Sequence, residues 1–195
     1  NSSNSDTSSA TLGLGGGQVG FKGKIDEFRV YDRVLSGNEI RSLIGLSPKP
    51  IVAEIEFTNP YVKNETSEFC NDVCDGLVAY YPFINSVKDT SGNGLNSVMF
   101  GGEFAEDRSQ NYGNGLRLQG DDFILVNGLD SSLIDGGKSF TFSFVMAFDD
   151  KNILPEHLGS NGIFQMGRIA AHFNTSGDYY HLAFYGGSQF NLVYN

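Results

Sequence analysis

Large apolar side chains that alternate with small or polar ones are the feature that most restricts the fold of this chain. The clearest run places five of them at every second position: Phe140, Phe142, Phe144, Met146 and Phe148. Because successive side chains of a β-strand point to opposite faces, this spacing puts all five on one face of a strand. Shorter runs of the same period occur at residues 123–126, 180–184 and 190–194. The chain therefore predicts many strands whose apolar faces meet across a core.

Composition favours an all-β fold and excludes some partners. The chain contains 25 glycines among 195 residues, with 39% hydrophobic and 13% aromatic content, which fits short strands joined by tight turns around a real core. The net charge of −10 disfavours nucleic-acid phosphates and anionic membrane surfaces. The most apolar stretch, around residues 140–148, is far shorter than the roughly 20 residues of a membrane-spanning helix. We therefore predict no nucleic-acid binding and no membrane insertion.

Two segments carry recognisable patterns. Residues 23–40 read G-K-I-D-E-F-R-V-Y-D-R-V-L-S-G-N-E-I, and residues 76–94 begin G-L-V-A-Y-Y-P-F and end D-T-S-G-N-G. In the first segment Ser36 and Glu39 form an S-x-x-E capping box, which predicts a short helix through Leu43 that Gly45 can end.

Together these patterns resemble the laminin G-like, concanavalin A-like jelly-roll family. Residues 23–40 are similar to the closing strand of such a module, and residues 76–94 are similar to its opening strand and loop. The resemblance implies an antiparallel jelly-roll β-sandwich. It also implies missing strands, because such modules carry a Trp-bearing middle section and this chain has no Trp.

The closing segment precedes the opening one, which predicts two partial modules. We assign residues 1–46 to the C-terminal part of one module, residues 47–74 to a connector and residues 75–195 to the N-terminal part of a second module. Three arrangements remain open. The chain is a fragment of a longer array, a circular permutant, or an open sandwich completed by strands of another chain.

The connector contains a predicted strand and a pair of cysteines. Residues 51–57 place apolar side chains on one face of a strand. Cys70 and Cys74 are the only cysteines, and an extracellular setting predicts a disulfide between them, with two unpaired thiols as the alternative. N-x-S/T sequons at Asn1, Asn64 and Asn174 are candidate glycosylation sites.

Three residues are candidate calcium ligands. Asp26 shares a predicted strand face with Phe28 and Val30, opposite Ile25, and a carboxylate on an apolar face needs a partner. That partner is calcium or, alternatively, backbone N–H groups or an arginine. Asp89 and Asn93 lie in a glycine-rich loop whose oxygens suit calcium, the alternative being an Asx-type turn without an ion. Asp26 and Asp89 meet only if the chain is permuted or exchanges strands.

Catalysis has little support in the sequence. His157, His172 and His181 fit no helical metal pair or triad order, and no G-x-S-x-G occurs. We predict a non-catalytic extracellular or cell-surface adhesion or assembly module whose partners are copies of itself or neighbouring modules. The alternatives are a filament subunit with strands completed between chains, and an accessory glycan-binding module of a secreted carbohydrate-active enzyme. No residue is assigned to glycan binding.

Overall fold

A computed structural model describes residues 9–13, 20–45, 73–129, 139–148, 161–166, 169–176 and 179–185. These residues form strands in antiparallel sheets and one short helix, so the predicted all-β class is confirmed. The strands are β1 (Ser9–Leu12), β2 (Lys22–Tyr31), β3 (Leu77–Tyr81), β4 (Ser97–Phe100), β5 (Glu103–Glu106), β6 (Tyr112–Gln119), β7 (Phe123–Asn127), β8 (Thr141–Phe148), β9 (Asn161–Met166), β10 (Ile169–Ser176) and β11 (Tyr179–Tyr185), and the helix is α1 (Gly37–Leu43).

The strands form two sheets. The first has the order β11-β10-β9-β1-β7-β4, and the second has the order β3-β2-β6-β5 with β8 also paired to β2. β8 pairs with β2 from Gly23 to Tyr31 and therefore fills one edge of that strand. The other edge is shared, because β6 pairs with residues 22–25 and β3 with residues 28–31.

Both sheets contribute to one core, as the alternating pattern predicted. The fully or nearly fully buried side chains are Ala10, Leu12, Phe21, Ile25, Phe28, Val30, Ala79, Tyr81, Phe83, Leu116, Leu118, Ile124, Val126, Leu129, Ile163, Phe164 and Met166. Phe140, Phe142, Phe144 and Met146 pack against this set, which confirms the inward face predicted for β8. The ring of Phe28 lies 5.9 Å from that of Phe144 and 5.4 Å from that of Phe164.

The two segments assigned to separate modules lie in the same sheets. β1 pairs with β7 and β9, and β2 pairs with β3, β6 and β8, so every strand before residue 46 is flanked by strands that follow residue 73. The division between residues 1–46 and 75–195 is therefore not a boundary between sheets. The physical reason is that β1 and β2 form their backbone pairing, and bury their apolar side chains, with the later strands. Most of the connector, residues 47–72, lies outside the described residues.

A β-bulge in β2 changes which side chains face the core. Asp26 lies opposite Val145, but Arg29 lies opposite Ser143, so β2 has one more residue than β8 between these pairs. The bulge includes Glu27, whose backbone is left-handed with a φ of 56°. Ile25 consequently joins Phe28 and Val30 in the same core. The prediction that Ile25 points away from Phe28 was wrong, because the extra residue of a bulge interrupts the alternation of side chains between the two faces of a strand.

Helix α1 begins and ends as the sequence predicted. The backbone N–H of Glu39 donates to Ser36 Oγ at 3.3 Å, and the backbone N–H of Ser36 donates to a Glu39 carboxylate oxygen at 2.7 Å. Gly45 follows the helix with a φ of 74°. The helix packs Ile40 and Leu43 against a second, smaller cluster formed by Tyr31, Leu35, Val73 and Leu77.

Candidate functional site

Asp26 lies at the point where the strand paired with one edge of β2 changes from β6 to β3. On one edge of β2, β6 pairs with it as far as Ile25 and β3 pairs with it from Phe28 onward. Residues 26 and 27 therefore pair with neither of these two strands. The side chain is nevertheless buried, with 6% of its surface exposed, and its Oδ1 atom has no hydrogen-bond partner. A buried carboxylate oxygen without a donor is energetically costly. This residue is the strongest candidate for a site among the described residues.

The surroundings of Asp26 disfavour the ionised form of its carboxyl group. Burial, followed by the negative charges of Glu27 and Asp107, raises the pKa of Asp26 from 3.8 to about 7, although the Glu27 backbone N–H and the Arg108 guanidinium act in the opposite direction. We call Asp26 together with residues 107–111 the Asp26 site. Near neutral pH this site requires a proton or a positive charge that can approach Oδ1.

Glu27 does not supply a free ligand beside Asp26. Its carboxylate accepts a hydrogen bond from the Tyr80 hydroxyl at 2.8 Å and forms a close ion pair with Arg29. The Arg29 guanidinium lies 4.1 Å from the centre of the Tyr80 ring, a cation–π contact. Burial raises the pKa of Tyr80, so the hydroxyl remains a donor at neutral pH. These contacts hold the strained backbone of Glu27 in place.

Residues 107–111 fold into a tight turn whose Asp107 and Arg108 charges act on Asp26. Asp107 Oδ1 accepts from the backbone N–H groups of Ser109 at 2.7 Å and Asn111 at 2.9 Å, and Oδ2 accepts from Asn111 Nδ2 at 3.0 Å. These hydrogen bonds, those of Asn111 first, hold the pKa of Asp107 below its usual value. Asp107 therefore stays ionised and opposes the charged form of Asp26. The sequence analysis missed this residue, although D-x-S at 107–109 is the same turn signal as D-x-S at 89–91.

Both carboxylate oxygens of Asp89 accept hydrogen bonds from other groups of the protein. Oδ1 accepts from the backbone N–H groups of Tyr80 at 3.0 Å and Ser91 at 2.9 Å. Oδ2 accepts from the Ser91 hydroxyl at 2.8 Å and from the backbone N–H of Leu95 at 2.9 Å. These four hydrogen bonds match the Asx-turn alternative and leave little capacity for an ion.

Asn93 ties the same loop to β3. Its Nδ2 donates to the backbone carbonyls of Leu77 at 3.0 Å and Val78 at 2.9 Å. Among the described residues, no hydrogen bond or ion pair joins Asp26 to Asp89 or Asn93. The loop and the Asp26 site are thus two separate features, and the three predicted ligands do not form one contact set.

The remaining predicted sites are only partly described. Cys74 is disulfide-bonded, whereas Cys70, Asn1 and Asn64 lie outside the described residues. The pairing of Cys70 and the three glycosylation sites stay predictions. Asn174 lies in β10 and pairs across to His181 in β11. His157 lies outside the described residues.

Two absences within the described residues concern metal clusters and membrane spans. No group of three or more His, Cys, Asp or Glu side chains gathers there as a metal cluster would. No helix within the described ranges is long and apolar enough to cross a membrane.

Comparisons of the chain with family models, with curated proteins and with solved structures found no match. Function therefore has to be inferred from the geometry of the chain itself, and the resemblance to laminin G-like modules stays a prediction.

Proposed function

We propose that this protein is a non-catalytic extracellular adhesion or assembly module, a jelly-roll sandwich of laminin G-like type that is stabilised by calcium at Asp26. The observation that carries this proposal is the buried, unpartnered Oδ1 of Asp26, whose charged form the ionised Asp107 opposes. A cation that binds there would relieve both the desolvated oxygen and the repulsion between the two carboxylates.

Calcium suits this position better than a soft metal does. The ion takes six to eight oxygen ligands, including backbone carbonyls and side-chain amides, and so needs no cluster of three acidic or histidine side chains. The turn at residues 107–111 contains the Asn111 side-chain amide, whose Nδ2 donates to Asp107 at 3.0 Å and whose oxygen is of the type that calcium binds. A thiolate or imidazole ligand, which zinc prefers, is not part of the Asp26 site.

An extracellular location fits the same features. Calcium sites of extracellular modules work at roughly 10⁻⁴ to 10⁻³ M, because the ion is abundant outside cells. The disulfide at Cys74 also favours an oxidising compartment, where such bonds persist. Two antiparallel sheets facing one core are compatible with a jelly roll and with the family resemblance.

The proposal is tested by thermal unfolding of the full chain with millimolar CaCl₂, with MgCl₂ and with a chelator. We expect calcium to raise the melting temperature and magnesium to have a much smaller effect. Asp26→Asn should abolish the calcium shift, whereas Asp121→Asn, at an exposed position, should retain it. A wild-type melting temperature that is the same in calcium and chelator, or a shift that survives in Asp26→Asn, would overturn the calcium assignment.

A further inference from the structure

We infer that Tyr80 is a positioning residue for the Asp26 site. Its hydroxyl, acting through the Glu27 carboxylate, holds the β2 bulge in the conformation that leaves Asp26 Oδ1 available to a cation. The inference rests on the proposed function, because it assigns a part in cation binding to a side chain that donates its hydrogen bond to Glu27 rather than to the ligand residue.

Asp26 lies on the face of the second sheet that is turned away from the core. It pairs with Val145 in β8, and directly paired residues of an antiparallel ladder place their side chains on the same face. The residues on either side of Val145, which are Phe144 and Met146, pack against the core, so Val145 and Asp26 face the other way. The direction of the Asp26 carboxylate therefore depends on the bulge itself and on the groups that lie on this outer face.

The backbone of Glu27 determines which oxygen of Asp26 stays free. The Glu27 backbone N–H forms a hydrogen bond with the Asp26 carboxyl group, while Oδ1 has no partner. Glu27 makes this contact with a φ of 56°, a conformation that residues other than glycine keep only where their surroundings hold them in it. The site thus requires contacts that fix Glu27.

Tyr80 supplies such a contact where β2 lacks a backbone partner on this edge. β3 pairs with β2 from Phe28 onward, with Tyr80 opposite Arg29, and Glu27 precedes that ladder. The Tyr80 hydroxyl donates to Glu27 Oε2 at 2.8 Å. A side-chain hydrogen bond from β3 therefore takes the place of the ladder pairing that is absent at Glu27.

Arg29 holds both partners of that hydrogen bond. Its guanidinium forms an ion pair with the same Glu27 oxygen and lies 4.1 Å from the centre of the Tyr80 ring. The side chains of Arg29 and Glu27 are only 16% and 26% exposed, so solvent screens this pair less than it would screen a surface pair. Phenylalanine at position 80 would keep the ring beside Arg29 and lose only the hydroxyl, which makes it a specific probe.

The test is the calcium dissociation constant of the full chain, measured by isothermal titration calorimetry with CaCl₂. Tyr80→Phe should raise this constant roughly tenfold, because a hydrogen bond to a charged group contributes free energy of that order. Tyr31→Phe is the matched control, since it also removes a buried tyrosine hydroxyl from its acceptor, the Val73 carbonyl at 3.3 Å, and it should leave the constant unchanged. Equal constants for Tyr80→Phe and wild type, or equal weakening by both variants, would overturn the inference.

Glycine at position 27 tests whether Tyr80 acts through Glu27. Because glycine adopts a left-handed φ without steric strain, the bulge in Glu27→Gly no longer depends on a side-chain hydrogen bond. Tyr80→Phe added to Glu27→Gly should therefore leave the dissociation constant of Glu27→Gly unchanged. A further weakening in the double variant, as large as that in Tyr80→Phe alone, would contradict this route of action.

A second measurement, made in chelator, separates this inference from the calcium assignment. Hydrogen exchange of the Glu27 amide, followed by NMR, should be faster in Tyr80→Phe than in wild type and unchanged in Tyr31→Phe, because only the first variant loosens the bulge. Unchanged exchange in Tyr80→Phe would overturn the inference even where calcium raises the melting temperature of the wild type. Faster exchange in a chain whose melting temperature does not respond to calcium would overturn the calcium assignment and still support Tyr80 as the residue that holds the bulge.

Discussion

At the scale of single residues, Asp26 and Asp89 show that the same side-chain type can have opposite effects on the stability of the fold. Asp89 has a donor for each of four acceptor positions, whereas Asp26 keeps one oxygen without any. The first carboxylate therefore stabilises the fold by itself. The second destabilises it unless a proton or a cation is supplied.

The pH dependence of stability should reveal the state of Asp26. Because its pKa is raised from 3.8 to about 7 in the folded protein, the native state binds a proton more tightly than the unfolded chain does. In chelator, the free energy of unfolding should therefore fall as pH rises from about 4 to about 7, by at most roughly 4 kcal/mol. Urea unfolding at pH 5 and pH 8 measures this difference.

Asp26→Asn should remove that pH dependence and, in chelator at pH 8, should be more stable than wild type. The reverse order is expected in millimolar calcium, because the ion would stabilise only the carboxylate. Equal stability of the two proteins at pH 8 in both conditions would contradict the expectation.

Asp89→Ala should destabilise the protein by roughly 2–4 kcal/mol, since it leaves several half-buried donors without an acceptor. The loss should be the same in calcium and in chelator, because these donors belong to the protein. Denaturant unfolding of Asp89→Ala beside the exposed Asp121→Ala provides the comparison. A loss that appears only in calcium would instead make Asp89 a ligand.

At the scale of elements, α1 is held by a short polar network as well as by packing. Glu39 caps the helix and pairs with Arg33, whose nitrogens lie 2.5 and 3.1 Å from the two carboxylate oxygens. The Arg33 side chain and the cap together lower the pKa of Glu39 from 4.5 to about 2. This network connects β2, α1 and the residues that precede β3.

Glu39→Gln should lower the free energy of unfolding by about 1–2 kcal/mol at neutral pH, since it weakens both the cap and the ion pair. Because the pKa of Glu39 is lowered on folding, its contribution is present above pH 4.5 and is lost as pH falls towards 2. Glu103→Gln, which breaks an exposed 3.5 Å pair with Arg117, is the control and should change stability by less than about 0.5 kcal/mol. Equal effects of the two variants would contradict this account.

At the scale of the whole molecule, the strands before residue 46 and those after residue 73 should unfold together. Leu12 in β1 and Leu118 in β6 are both at most 1% exposed in one core. Leu12→Ala and Leu118→Ala should each lower the stability of the same transition by roughly 2–5 kcal/mol. Differential scanning calorimetry should show one transition that shifts in both variants. Two transitions, each sensitive to only one variant, would favour the interpretation as two modules.

Local patterns in the sequence were enough to predict some of the individual elements. The alternation in residues 140–148 predicted β8 and its inward face, and the S-x-x-E pattern at Ser36 predicted α1, because both depend on neighbouring residues along the chain. The site was only half predicted. Asp26 was identified by the strand face it was predicted to share with Phe28 and Val30, but Asp107, whose charge acts on it, is 81 positions away and shares no local pattern with it.

The sequence by itself determined that the chain forms strands, a capped helix and an apolar core, since side-chain spacing and turn chemistry act over a few residues. The tertiary structure alone decided that β1 and β2 lie between strands from the other end of the chain, because ladder pairing depends on which edges are free in space. It also decided that a bulge brings Ile25 to the core side and leaves Asp26 where two ladders diverge. There the Oδ1 atom of a buried carboxylate is left without a hydrogen-bond partner.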